Sequence, residues 1–121
     1  MPARSESAAG EARLEPLLRA LLELREQHPD MTLTELIALL AVAVNPGVTV
    51  RSAGRICGFK EATASRALRR MAPEKMPGSL GAQRGLVQLM QGPLDGRTRH
   101  AFLTPMGERL CEVLAGSVSI K

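Results

Sequence analysis

The stretch Thr49–Arg70, TVRSAGRICGFKEATASRALRR, decides how the chain is read. It divides into two short helical segments around a tight turn. The Thr49 side chain is placed to cap the first segment, because its oxygen accepts a backbone N–H of the opening turn. Ala53, Gly54 and Cys57 recur at helical spacing and form a narrow apolar face on which another helix can pack closely. Gly58 is expected to end that helix in the left-handed conformation that glycine enters at little cost. Phe59 fills the turn. The second helix is expected over Glu61–Met71, with Ala64, Ala67, Leu68 and Met71 inward and Glu61, Ala62, Ser65, Arg66 and Arg69 outward. A helix with an apolar back and a front of Ser and Arg, held across its neighbour by a short turn, suits the major groove of duplex DNA.

Charge supports the same reading. The chain has 121 residues and a net charge of +4. Residues 1–50 carry four arginines against seven acids, whereas residues 51–100 carry ten Lys or Arg against three acids. Positive charge is therefore concentrated where phosphates would have to be neutralised. The length fits one domain, and 45% apolar residues suffice for one core. With two Phe, no Trp and no Tyr, that core must be built from Leu, Val, Ala and Met. The shortage of aromatics also argues against the stacking platforms of single-strand binders.

Outward from this centre, Leu14, Leu17, Leu18, Leu21 and Leu22 predict a helix over 12–28, with Pro16 in its first turn and His28-Pro29 at its end. Residues 1–10 and 116–121 are expected as tails, with the domain over 11–115. Thr32-Leu33-Thr34-Glu35 spells a capping box. The helix it opens should reach Val44, with Leu33, Leu36, Ile37 and Leu40 inward, before Asn45-Pro46-Gly47 breaks it. Pro73 stops the arginine-bearing helix. Leu86–Gln91 and Arg97–Leu103 read as strands around Gly92-Pro93-Leu94-Asp95-Gly96, a turn with an Asp-Gly signal. Thr104 and Pro105 then open a last helix, with Leu110, Val113 and Leu114 on its apolar face.

The central stretch resembles a helix-turn-helix, and specifically the winged-helix module of the MarR family. Gly58-Phe59 and Thr63-Ala64-Ser65-Arg66 stand where that family has Gly-hydrophobic and Thr-Val-Ser-Arg. Gly85-Leu86-Val87 is similar to its entry to the wing, Asp95-Gly96-Arg97 to its Asp-x-Arg wing tip, and Leu103-Thr104-Pro105-Met106-Gly107 to its Leu-Thr-x-x-Gly. The resemblance covers about residues 33–114. It implies a mainly α fold with a small β-hairpin wing, the helix-turn-helix at about 49–72 and the wing at about 86–103. It further implies that Arg97 enters the minor groove, that Asp95 supports it by an ion pair, and that the protein pairs as a homodimer. Three features depart from the family, one of them Glu61, which puts a negative charge near the bases. Lys60 replaces the usual Ser cap of the recognition helix, and a segment at about 73–84 is inserted before the wing. Lys75 and Arg84 of that insertion offer further phosphate contacts, and a plain loop insertion explains it equally well.

The candidate DNA-binding residues are Lys60, Glu61, Ala62, Thr63, Ser65, Arg66, Arg69, Arg70, Arg97 and Arg99, with Asp95 as wing support. Arg66 and Arg69 share a face from which a guanidinium reaches O6 and N7 of guanine or clamps a phosphate. Thr63 and Ser65 can donate to phosphates or base edges, Glu61 can accept from cytosine N4, and Arg99 is expected to meet backbone. No metal-ligand spacing, nucleotide loop or catalytic triad stands out, so neither a cofactor nor enzyme activity is expected. Cys57 and Cys111 make no pattern, and no apolar run is long enough to span a membrane, which points to a cytoplasmic setting with free thiols. The expectation is a sequence-specific, double-stranded-DNA-binding transcriptional regulator, a repressor acting as a dimer, its effector unspecified. The alternative is a winged-helix module whose basic face binds a protein partner.

Overall fold

Thr32 opens the first helix of the central unit as a reciprocal cap. Its hydroxyl accepts the Glu35 N–H at 3.1 Å while its own N–H donates to Glu35 Oε1 at 2.8 Å. The computed structural model describes residues 4–73, 84–92 and 98–117, with side chains over residues 14–73, 84–92 and 98–116. The chain divides into two units, one of residues 31–108 and one drawn from residues 1–30 and 109–121.

In the larger unit, α2 spans Leu33–Val44, α3 spans Val50–Cys57 and α4 spans Glu61–Met71. Thr49 caps α3 by accepting the Ser52 N–H at 3.1 Å. Gly58 ends it at φ 73°, a left-handed stop where any Cβ is strained. These bounds, and the inward set Ala64, Ala67, Leu68 and Met71 of α4, agree with the expected pattern. Three antiparallel strands follow the order β1-β3-β2, with β1 at Val48–Thr49, β2 at Val87–Gln91 and β3 at Arg99–Leu103. Leu89 and Val48 both face Ala101 across β3, and Thr49 faces His100. The expected hairpin thus gains a third, two-residue strand, which β-alternation could not reveal in so short a segment.

The core of this unit is aliphatic. Leu39 and Val42 of α2, Ala53 of α3, Leu68 and Met71 of α4, Leu86, Val87 of β2 and Ala101 of β3 are all buried. Packing of Ala and Gly faces lets the helices approach closely without aromatic filler. The last helix, α5 (Pro105–Ser117), is tied to the sheet at its start. The Thr104 hydroxyl donates to the Gly85 carbonyl at 2.6 Å and accepts the Gly107 N–H at 3.0 Å. Gly107 lies against the Leu86 carbonyl, in space that no Cβ could enter.

The inward face of α2 differs from expectation. Glu35, Ala38, Leu39, Ala41 and Val42 are buried, whereas Leu33, Ile37 and Leu40 are exposed and Leu36 is half-buried. A helix that is apolar almost all round gives no contrast from which to choose a face, and Glu35 made the true face look polar.

In the smaller unit, α1 runs from Arg4 to Gln27. It begins well before the expected residue 12, so residues 4–10 are helical and not part of a tail. Ser5, Ala8, Ala9 and Glu11 are compatible with helix, and Ala and Glu favour it. Pro16 consequently lies inside the helix and not in its first turn, and removes one N–H from the ladder. Of the expected apolar face, Leu17 is half-buried and Leu14, Leu18, Leu21 and Leu22 are exposed, while Ala20 and Leu24 are buried. On the last helix Leu114 is buried, Leu110 half-buried and Val113 exposed.

Candidate nucleic-acid interface

Helix α4 presents its polar side because its opposite side is wholly occupied by the core. Ala62 and Arg66 are exposed, and Thr63, Ser65, Arg69 and Arg70 flank them half-buried. Lys60 stands at the N-cap with extended backbone and no side-chain cap bond, since an ammonium cannot accept an N–H. Glu61 in the first turn suits the positive end of the helix dipole. It also accepts a bond from Arg51 Nε at 3.2 Å, which ties the start of α4 to α3. Both side chains of that pair are largely exposed, so its value is in orientation more than stability.

A groove of about 490 Å³ runs between α4 and the strands, lined by Thr49, Val50, Arg51, Glu61, Ser65, Thr98 and Arg99. It brings Arg99, Glu61 and Ser65 together from segments distant in sequence. A second hollow of about 340 Å³ opens on the other flank of α4, lined by Thr32, Thr34, Glu35, Thr63, Arg66, Ala67 and Arg70. Asp95 and Arg97 lie outside the described residues, as do Lys75 and most of the 73–84 insertion. Gly92 N–H donates to the Thr98 carbonyl at 2.8 Å, so the two strands are joined where they enter and leave that turn.

Two of the basic side chains have an intramolecular partner in common. Arg70 Nε donates to Glu35 Oε2 at 2.7 Å, so this expected DNA contact also has a partner within the chain. Arg84, read from the sequence either as a further phosphate contact or as part of a plain loop insertion, is buried, and its Nη2 donates to Glu35 Oε1 at 3.0 Å. The Glu35 carboxylate is itself buried. Burial alone would raise its pKa, but the Thr32 N–H and the guanidiniums of Arg70 and Arg84 outweigh that and hold it below the ordinary value. Arg51 and Glu35 are the residues that reading the sequence missed. Arg51 could have been noticed on the polar face opposite Ala53 and Gly54. Glu35 carried no signal beyond its cap.

Cys57 and Cys111 are both free and half-buried, and burial pushes each thiol up, away from a reactive thiolate. Among the described residues no cluster of three or more His, Cys, Asp or Glu could hold a metal, and no helix is long and apolar enough to cross a membrane.

No family model matches the chain, and no curated protein matches it. Solved structures do. The PcaV transcriptional regulator from Streptomyces coelicolor, in complex with its natural ligand, is 25% identical over 74% of this chain and 56% of its own, with a TM-score of 0.58. A MarR-like transcriptional regulator from Thermotoga maritima is 23% identical over 76% of this chain and 58% of its own, with a TM-score of 0.58. A mutant MarR from E. coli complexed with operator DNA is 19% identical over 98% of this chain and 75% of its own, with a TM-score of 0.63. The present chain spans less than three fifths of the length of the first two. What these likenesses share with the geometry above is an architecture: the chain has the winged helix-turn-helix fold of MarR-family transcriptional regulators.

Proposed function

We propose that this chain is a sequence-specific, double-stranded-DNA-binding transcriptional regulator, a repressor that acts as a homodimer in the cytoplasm. Helix α4 enters the major groove and the β2–β3 wing meets the adjacent minor groove. The observation that carries this reading is the outward face of α4, where Ala62 and Arg66 are exposed and Glu61 and Ser65 line a groove shared with Arg99. Arg66 reads a base or clamps a phosphate, and Ser65, Thr63 and Arg69 add contacts at its flanks. Arg97, supported by Asp95, extends the wing contact. The operator DNA bound by one protein of the same fold supports the choice of ligand. Exposed Leu14, Leu18, Leu21 and Leu22 on α1 support pairing of two copies, which doubles the DNA contacts. Two unpaired thiols suit a reducing compartment.

Affinity for duplex DNA measured against salt tests the reading. If a dimer neutralises six or more phosphates, the logarithmic slope is about −5 or steeper. Selection of bound sequences from random duplexes should return a palindrome with half-sites about one helical turn apart. Salt-independent binding, or none at low salt, overturns the reading.

A further inference from the structure

Glu35 joins three parts of the chain that carry no chemistry of their own at that point. Its Oε1 accepts from the Thr32 N–H at 2.8 Å and from Arg84 Nη2 at 3.0 Å, and its Oε2 accepts from Arg70 Nε at 2.7 Å. Thr32 begins α2, Arg70 lies in the last turn of α4, and Arg84 is where the chain returns from the insertion. The backbone repeats the tie, since Arg84 N–H donates to the Arg70 carbonyl at 3.1 Å and Leu86 N–H to the Met71 carbonyl at 2.8 Å. Arg70 is one helical turn beyond Arg66, and the two side chains line the same hollow. A carboxylate that fixes Arg70 therefore fixes the pitch of the helix that carries Arg66, and draws a second guanidinium away from phosphate.

Resting on the DNA-binding reading, we propose that Glu35 and Arg70 form a positioning pair for sequence recognition: Arg70 is held on Glu35 and away from the DNA, and the pair sets the angle at which Arg66 meets the base edges. The charge of Arg70 is thus withheld from non-specific phosphate binding. Specificity rises because the withheld charge would have attracted any sequence equally.

Arg70→Gln tests this, since it leaves the buried Glu35–Arg84 bond in place. Affinity for the selected palindrome and for a scrambled duplex would be measured over a salt series. The pair predicts a salt slope equal to that of the unaltered protein and a specific-to-scrambled ratio reduced about tenfold. A ratio that stays unchanged overturns the proposal. So does a slope shallower by about one, the signature of a lost phosphate contact. Glu35→Gln should act in the opposite sense on charge: a steeper slope, as the part-exposed Arg70 guanidinium is released to reach phosphate, with the ratio again reduced. If Glu35→Gln proves too unstable to purify, the Arg70→Gln result decides alone. Absence of salt-dependent duplex binding by the unaltered protein would mean that the DNA-binding reading fails and takes this inference with it, a result distinct from normal binding with an unchanged ratio.

Discussion

Arg84 donates to Glu35 at 3.0 Å across 49 positions of sequence, with both side chains almost fully enclosed. Removing one member of a buried ion pair leaves the other desolvated and uncompensated, which costs about 3–5 kcal/mol. Glu35→Ala should therefore lower unfolding free energy by about that amount in a urea titration, far more than Glu61→Ala, whose partner Arg51 is in solvent.

The same carboxylate gives a pH dependence. Its pKa is lowered in the folded state, so its stabilising effect is fully present above the ordinary carboxylate value, about 4.3 for glutamate. That effect is lost as pH falls through the lower folded value. Thermal midpoints should drop more steeply between about pH 4.3 and that lower value in the unaltered protein than in Glu35→Gln, where the linked proton is absent.

Gly107 abuts the Leu86 carbonyl, so Gly107→Ala forces a methyl into backbone that cannot yield as a side chain would. A loss of about 1–3 kcal/mol is expected by denaturant unfolding. Gly116 lies on the same helix with nothing near its Cβ position, so Gly116→Ala should leave stability unchanged or slightly raised.

Gly58 turns the chain from α3 into α4 at φ 73°, with open space around it. Gly58→Ala introduces backbone strain and no clash, and should cost about 1–2 kcal/mol. Gly58→Asn should recover part of that, because asparagine tolerates the left-handed region better. Equal losses for both variants in thermal melts would indicate a steric cause instead.

On the exposed side of α4, Arg66→Ala should weaken binding to the selected site by about 1–3 kcal/mol and relax preference at one base position. Fluorescence anisotropy with single-base variants of the site measures both.

Much of the helix-turn-helix was legible because its boundaries are written in local chemistry. Thr49 caps, Gly58 stops, and Pro73 ends the run within a few residues of the groups they act on. The outer face of α4 followed from period alone. What was not legible depends on distance in space. Arg70 reads as a DNA contact, and Arg84 as a phosphate contact or part of a plain loop, until Glu35 is placed between them. The face of α2 was misjudged because Leu33, Ile37 and Leu40 are as apolar as the buried Leu39 and Val42. The early start of α1 was missed because Pro16, expected to sit in a first turn, is accommodated inside a longer helix.

Thr49 belongs to two elements at once, for it lies opposite His100 in the sheet and also caps α3. Gly47 reinforces the joint by donating its N–H to the Ala101 carbonyl, while the His100 ring bonds the Gly47 carbonyl oxygen at 2.9 Å. A hairpin transplanted from another protein would consequently have to bring its own counterpart of residues 47–49, or α3 would inherit a foreign tilt. On the DNA-binding reading, a substitution at residues 47–49 bears on the helix pair and on the wing strands together.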